Sequence, residues 1–436
     1  MRSPPLHARP RSLLFLGLSL LLATPALGQR GGMPPWGTGE SRGEDLDVTY
    51  ALFGPGSDVA SWWGHAALGV EDERLRVARL YNYGNFSFDE QMLARYAMGR
   101  LEFWVADAPV QPYLRFYARE DRDVRVLHLD LQPGAREKMA RHLAENVLPG
   151  KRDYLYDHYR DNCSTRLRDA VDVGLEGRLR EHLSVPGRMT LREHTRRYTA
   201  VNPAMSLLLD LAMNDTIDQP ITRWDEAFLP DELERALLEI EVTGADGAAR
   251  PLVRDIDRVH QATSRAATPE LPPNHVPWLL LIGLGTGALP LLAAWLWKRR
   301  GLGSARVLLG ALTTLWGLVF GVIGTLLTVM WAVTDHTVVF ANENLFQVNP
   351  VWLLLLWLGP SLMRGKNVRT PERLRRVGLV LGGLALLGVA LKVLPAFDQN
   401  NWNILALVLP QILGYAAAWF QASELPQVAP SPATTT

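Results

Sequence analysis

The sequence predicts an α+β soluble domain followed by an all-α transmembrane domain of five helices. Three observations lead there. The composition divides: residues 44–270 are rich in Arg, Asp and Glu, whereas 277–420 are dominated by Leu, Val, Gly, Ala and Trp. In the first stretch, segments of period two alternate with segments of helical period. In the second, five apolar segments approach the length that crosses a bilayer as a helix, about 17–25 residues. The organisation that follows is a signal peptide (1–28), a flexible leader (29–43), the soluble domain (44–240), a linker (241–276), the five-span domain (277–420) and a cytoplasmic tail (421–436).

Arg2, Arg9 and Arg11 form a positive start, Leu13 to Ala23 an apolar run too short to span, and Ala26 and Gly28 the small residues of a cleavage site before Gln29. No cysteine follows the apolar run, so the chain is not itself a lipoprotein. Asp47–Phe53, Ala66–Val70, Val77–Tyr83 and Val124–Leu131 read as strands, the second and third flanking the polar turn Glu71–Arg74. Met139, Leu143 and Val147 space a helix that begins near Gly134. Leu167, Val171 and Leu175 space another from Thr165, with Asp161 or Asn162 as its N-cap. Residues 188–240 read as mostly helical, broken at Pro203, Pro220 and Pro230.

The apolar segments lie at 277–297, 307–333, 350–363, 377–394 and 403–420; the third is short enough to be partly re-entrant. Loops carrying Lys298, Arg299, Arg300 and Arg306, and Arg364, Lys366, Arg369, Arg373, Arg375 and Arg376, alternate with loops lacking Lys and Arg. The positive-inside rule puts the basic loops in the cytoplasm and the soluble domain outside, as the signal peptide also does. Trp278, Trp297, Trp331, Trp352, Trp402 and Trp419 sit near span ends, and Lys392 is placed to snorkel. Gly283, Gly285 and Gly287 read as helix-packing residues. The loop holding Asp335, His336, Asn342, Glu343 and Asn344 is either a solvated connector or a second contributor to a site.

The net charge is +0, from 45 basic and 45 acidic side chains, which gives no indication of a nucleic-acid partner. His128, His142, His158, His182 and His194 are scattered without metal-ligand spacing, so neither a metal nor a cofactor is expected. Cys163 is the one cysteine, and an exported chain with one cysteine has no internal disulfide. A thiol in the first turn of a helix is favoured as the thiolate. The first-turn N–H groups of Cys163 and Ser164, with Asn162 beside them, are placed to hold an oxyanion. His65, at the mouth of a strand in Trp62-Trp63-Gly64-His65, is the candidate base. Asn82 is the first choice of orienting group and Asn85 the second. Trp62, Trp63, Tyr83 and His336 are candidates for lining a substrate path, against ordinary core packing for the tryptophans.

Gly64-His65 opening a strand, with Asn162-Cys163 opening a later helix, resembles the circularly permuted papain-like (NlpC/P60-type) superfamily. More specifically, Ser61–Val70, Tyr81–Phe88 and Tyr154–Asp169 resemble the periplasmic domain of Lnb-type bacterial lipoprotein N-acyltransferases, over most of residues 44–240. The resemblance implies a Cys–His catalytic domain in the periplasm, anchored in the bacterial inner membrane. It implies a membrane phospholipid as acyl donor, a diacylglyceryl lipoprotein as acceptor and a Cys163 thioester between them. Cys163 and His65 match nucleophile and base; Asn82 matches by strand position. Two other functions remain open: a periplasmic cysteine peptidase or amidase acting on cell-wall peptides, and a non-enzymatic lipid- or peptide-binding sensor.

Overall fold

A computed structural model describes residues 32–87, 91–244 and 247–424. The signal peptide and the tail beyond 424 lie outside the described residues. The chain forms two compact units: one from residues up to Ala94, Arg100–Arg188 and Ile221–Ala267, the other from Arg95–Gly99, Met189–Pro220 and the chain from Thr268 onward.

The first unit is built on an antiparallel sheet: β1 (Leu46–Phe53), β2 (His65–Asp72), β3 (Val77–Asn85), β4 (Glu102–Ala108), β5 (Val124–Leu129), β6 (Asp153–Leu155) and, after the hairpin β7 (Glu241–Thr243) and β8 (Ala249–Pro251), β9 (Val253–His260). The order across the sheet is β6-β4-β3-β2-β1-β5-β9. Strand alternation divides the side chains between two cores. Val48, Tyr50, Leu52, Ala66, Leu68 and Tyr81 pack with Met139, Leu143, Leu167 and Val171 of the helices Pro133–Asn146 and Cys163–Gly174. Ala51, Phe53, Ala67 and Leu80 pack on the other side with Tyr113, Leu114 and Tyr117 of the helix Val110–Arg119. Burial on both faces explains why β1 loses its alternation after Tyr50.

Two expected boundaries differ. The leader is not flexible from residue 32: Trp36 is fully buried and its Nε1 donates to Tyr81 Oη at 2.7 Å, so an indole holds this segment on the sheet. The expected linker 241–276 contains three strands. β9 pairs with β5 at the sheet edge, and its largely exposed side chains give no period-two signal.

In the second unit, Val276–Arg300, Gly303–Val333, Thr370–Leu391 and Trp402–Ser423 are long and apolar enough to cross a membrane. The third expected span is a bent pair, Thr337–Phe346 with Pro350–Arg364, at 56°. A Cβ at Gly283 or Gly287 would meet the Leu407 or Pro410 carbonyl oxygen at 2.5 Å, so helix Val276–Arg300 approaches helix Trp402–Ser423 through glycines, while Gly285 faces open space.

Residues 189–220 belong to this second unit, not to the expected 44–240 domain. They are held by buried polar bonds: Arg192 to Asp218 at 2.6 Å, Arg196 and Asn403 to Asp210 at 2.9 and 2.7 Å, and Asn342 Nδ2 to the carbonyls of Leu211 and Ala212 at 2.9 Å. The loop 334–349 is thus no solvated connector, since Asn342, Glu343 and Asn344 are all buried. Lys392 pairs with the buried Glu343 carboxylate at 2.5 Å.

Candidate functional site

Cys163 is the first residue of its helix. Asn162 caps that helix by accepting from Thr165 N–H at 2.9 Å, while Thr165 Oγ1 accepts from Asn162 N–H at 2.8 Å. Asn162 Nδ2 donates to the carbonyls of His158 and Phe228 at 2.8 and 2.9 Å, so its amide is committed to the cap and to the neighbouring chain. This corrects the expectation that Asn162 contributes to an oxyanion site. The Ser164 hydroxyl is likewise committed, donating to the Ala227 carbonyl at 2.8 Å. What remains is backbone: the N–H groups of Ala66, Ser164 and Cys163 lie near enough to the sulfur to favour the thiolate.

His65 opens β2, after Gly64 with φ at +75°, a value that favours glycine. Continuing the Leu68–Tyr81 register by three residues brings His65 opposite Gly84 of β3. Gly84 has φ at +103°, and β3 bulges between Tyr83 and Asn85 against β4. A Cβ on Gly84 would lie 3.7 Å from His65 Cε1 and 3.9 Å from Cys163 Cβ, so base and thiol border one point. His65 Nε2 bonds Asn82 Oδ1 at 2.5 Å. An amide oxygen only accepts, so Nε2 carries the proton and Nδ1 the lone pair. The bulge also turns Asn85 onto Asn82: Asn85 Nδ2 donates to the Asn82 and Trp104 carbonyls at 2.9 and 3.2 Å, and Asn82 Nδ2 donates to Asn85 Oδ1 at 3.3 Å.

Behind His65 stand Phe53, its ring stacked at 6.0 Å, and Tyr117, stacked on Phe53 at 4.0 Å. Arg122, only 8 % exposed, lies with its guanidinium 4.6 Å from the Tyr117 ring centre. Burial dominates the titration of both reactive groups. It pushes the Cys163 thiol up to about 11 against the three N–H groups that favour the thiolate. It pulls His65 down to about 4, against the Asn82 bond and with the Arg122 charge. The expectation of a lowered thiol pKa is therefore corrected: desolvation outweighs the helix terminus, and the resting pair is thiol and neutral imidazole.

The proposed lining residues divide. Trp63 stands edge-on to His158 at 4.7 Å; its Nε1 and His158 Nε2 are buried without a hydrogen-bond partner, leaving two ring nitrogens open in neighbouring side chains. Trp62 is 5 % exposed and its Nε1 donates to the Ser57 carbonyl at 3.4 Å, a core role. Tyr83 does not line a path: it is 2 % exposed, and its hydroxyl accepts from Asn146 Nδ2 at 2.9 Å. His336 belongs to the second unit, where its Nε2 bonds the Tyr96 carbonyl at 3.0 Å. Sequence reasoning missed Gly84, the Ala66 N–H and Arg122. Only Gly84 left a signal, as the glycine between the two asparagines.

No group of three or more potential metal-binding side chains occurs among the described residues. No curated protein and no solved structure matches the chain. Residues 33–197, a stretch that includes His65, Asn82 and Cys163, match the family described as the Lnb N-terminal periplasmic domain. With its membrane-length helices, the chain is a multi-pass membrane protein whose N-terminal part is similar to that periplasmic domain.

Proposed function

We propose that the protein is a cysteine-dependent N-acyltransferase of the bacterial inner membrane, which moves an acyl chain from a phospholipid to the α-amino group of diacylated lipoproteins. The observation that supports this reading is that Cys163 and the His65 ring border one point beside Gly84, with the ring held by the Asn82 amide, within a family-matched domain of a chain with membrane-length helices.

The resting pair is neutral, so activation and attack occur together. His65 Nδ1 takes the thiol proton as Cys163 Sγ attacks the ester carbonyl carbon. Asn82 holds Nε2–H and favours the imidazolium that forms. Backbone N–H groups at the helix start face the charge developing on the carbonyl oxygen. The ester C–O bond breaks, His65 returns its proton to the leaving lysophospholipid alkoxide, and a thioester remains. The neutral α-amine of the acceptor then attacks the thioester. An amide forms, the C–S bond breaks, and the proton lost by nitrogen reaches the sulfur through His65. Membrane anchoring supports the reading, because both substrates are lipids and a tethered site removes much of the orientational cost of meeting them.

The test is mass spectrometry of the Cys163 peptide after the full-length protein is incubated with phospholipid alone. The expected result is an acyl-sized adduct, absent in Cys163→Ala, that disappears on adding a diacylated lipopeptide. A thiol that reacts rapidly with iodoacetamide yet takes no acyl group would sink this reading and favour a cell-wall peptidase or amidase. A thiol inert to both would favour a binding module.

A further inference from the structure

The Arg122 side chain has no carboxylate partner within ion-pair distance among the described residues. Nε donates to the Gly54 carbonyl at 2.7 Å and Nη2 to the Phe53 carbonyl at 3.3 Å. A guanidinium taken out of water without a counter-ion is costly, and two carbonyl dipoles do not neutralise it.

The turn that carries it brings a second guanidinium close. Asp121 takes the left-handed conformation, φ +50°, which aspartate tolerates. Asp121 and Asp123, on either side of Arg122, pin the chain that leaves β9. His260 Nε2 bonds Asp121 at 2.9 Å, Ser264 N–H donates to Asp121 at 2.8 Å, and Ala262 N–H donates to Asp123 at 2.9 Å. The next residue is Arg265, half-buried and without a hydrogen bond or ion pair among the described residues. The Arg122 charge acts on Arg265, and both feel Asp58. Tyr117, Cys163 and the Glu120 carboxylate also act on Arg122. Asp58 is committed to capping Ser61, accepting from its N–H at 3.2 Å and its hydroxyl at 2.7 Å. The Arg122 charge in turn acts on His65 and Cys163.

We propose that Arg122 and Arg265 form an anion subsite beside the thiol that takes the phosphate of the acyl-donor lipid, positioning its ester for attack. This rests on the acyltransferase reading, and it adds the group by which the donor is recognised. A planar guanidinium fork suits phosphate oxygens, and a phosphodiester supplies the counter-charge that Arg122 lacks. A headgroup phosphate lies a few bonds from the ester carbonyl, which fits a cation close to, but not at, the reacting atoms.

The full-length protein in detergent is given phosphatidylglycerol or diacylglycerol with the same acyl chains, and Cys163 acylation is timed by mass spectrometry. The wild type is expected to react roughly 10-fold faster with phosphatidylglycerol, the factor one charge-assisted hydrogen bond supplies. Arg265→Gln loses most of that advantage and keeps its rate with diacylglycerol, while Arg122→Lys, which retains charge without the fork, falls between. Equal use of the two donors by the wild type, or equal slowing of both in Arg265→Gln, overturns the proposal.

A second readout does not depend on acyl transfer. Iodoacetate, an anion, should alkylate Cys163 faster relative to iodoacetamide in the wild type than in Arg265→Gln. An unchanged ratio overturns the subsite. If neither lipid acylates the thiol, the acyltransferase reading falls, and this ratio still decides whether the arginines hold an anion. Millimolar inorganic phosphate separates the sources: a lipid-headgroup site keeps its donor preference in its presence, whereas loss of that preference assigns the site to free phosphate and overturns the lipid assignment.

Discussion

Each unit buries a guanidinium, and the two treat it differently. In the second, Arg192, only 1 % exposed, bonds Asp218 and the carbonyls of Met213 and Asn214, and Asp210 receives both Arg196 and Asn403. Charge there is matched by charge, and the matching fastens residues 189–220 to the loops 334–349 and 395–402. In the first unit Arg122, also buried, meets the carbonyls of Gly54 and Phe53 and no carboxylate among the described residues, and its charge acts on His65 and Cys163. A buried charge with a counter-ion holds the fold, whereas one left without a counter-ion near a reactive pair is available to a ligand.

That contrast is broken most directly by one substitution in each unit. Cys163→Ala should abolish acyl transfer, by roughly 10⁴-fold or more, while changing stability by less than about 1 kcal/mol, because the side chain fills little core. Arg192→Ala should do the reverse. It strands the buried Asp218 carboxylate, so thermal unfolding should show a loss of about 3–5 kcal/mol, with the alkylation rate of Cys163 in the folded fraction unchanged. A stable Arg192→Ala protein would show that the polar layer is not structural.

Within the first unit, Asn82→Ala removes the group that fixes the His65 tautomer and leaves the thiol in place. A drop in kcat on the order of 10²-fold is expected, with little change in KM. Asn85→Ala acts only through Asn82 and should cost a few-fold. Equal effects of the two would mean that Asn85 contacts the substrate and that the order of roles is reversed.

The legibility of the molecule in its sequence follows the same division. Local signals were readable: Asn162 ahead of an apolar stripe at Leu167 and Val171 announces a capped helix, and Gly64-His65 ahead of Ala66–Val70 announces a strand start. The pairing of His65 with Asn82 was readable as adjacent strands, because a short polar turn joins β2 to β3. Long-range placement was not. Nothing near Arg122 shows that its neighbour is Arg265, 143 positions away, because the link runs through Asp121 and Asp123 holding the end of β9. Residues 189–220 look like the rest of a soluble domain because their stabilising partners, Asn342, Asn344 and Asn403, lie in loops and a helix far along the chain. The thiol pKa was misread for a related reason. A helix start is visible in sequence, whereas the core that desolvates it is built by residues of separate elements, Tyr50, Tyr83 and Tyr154 among them.

The smallest expected effect concerns pH. Burial holds His65 and His158 neutral, each pulled down to about 4 from an ordinary 6.5. Between those values the unfolded chain binds more protons than the folded one, so acidification favours unfolding. The stability these two rings contribute is complete above about 6.5 and is lost as pH falls toward 4. With partial solvent exposure discounted, each accounts for about 1–2 kcal/mol. Thermal unfolding followed by tryptophan fluorescence between pH 7 and 4 should show the loss. His158→Phe keeps the ring against Trp63, Tyr159 and Phe228 and removes one titration, so its profile should be flatter. An identical slope in His158→Phe would mean that the ring is protonated or solvated in the folded protein. The open nitrogen beside Trp63 would then be hydrated.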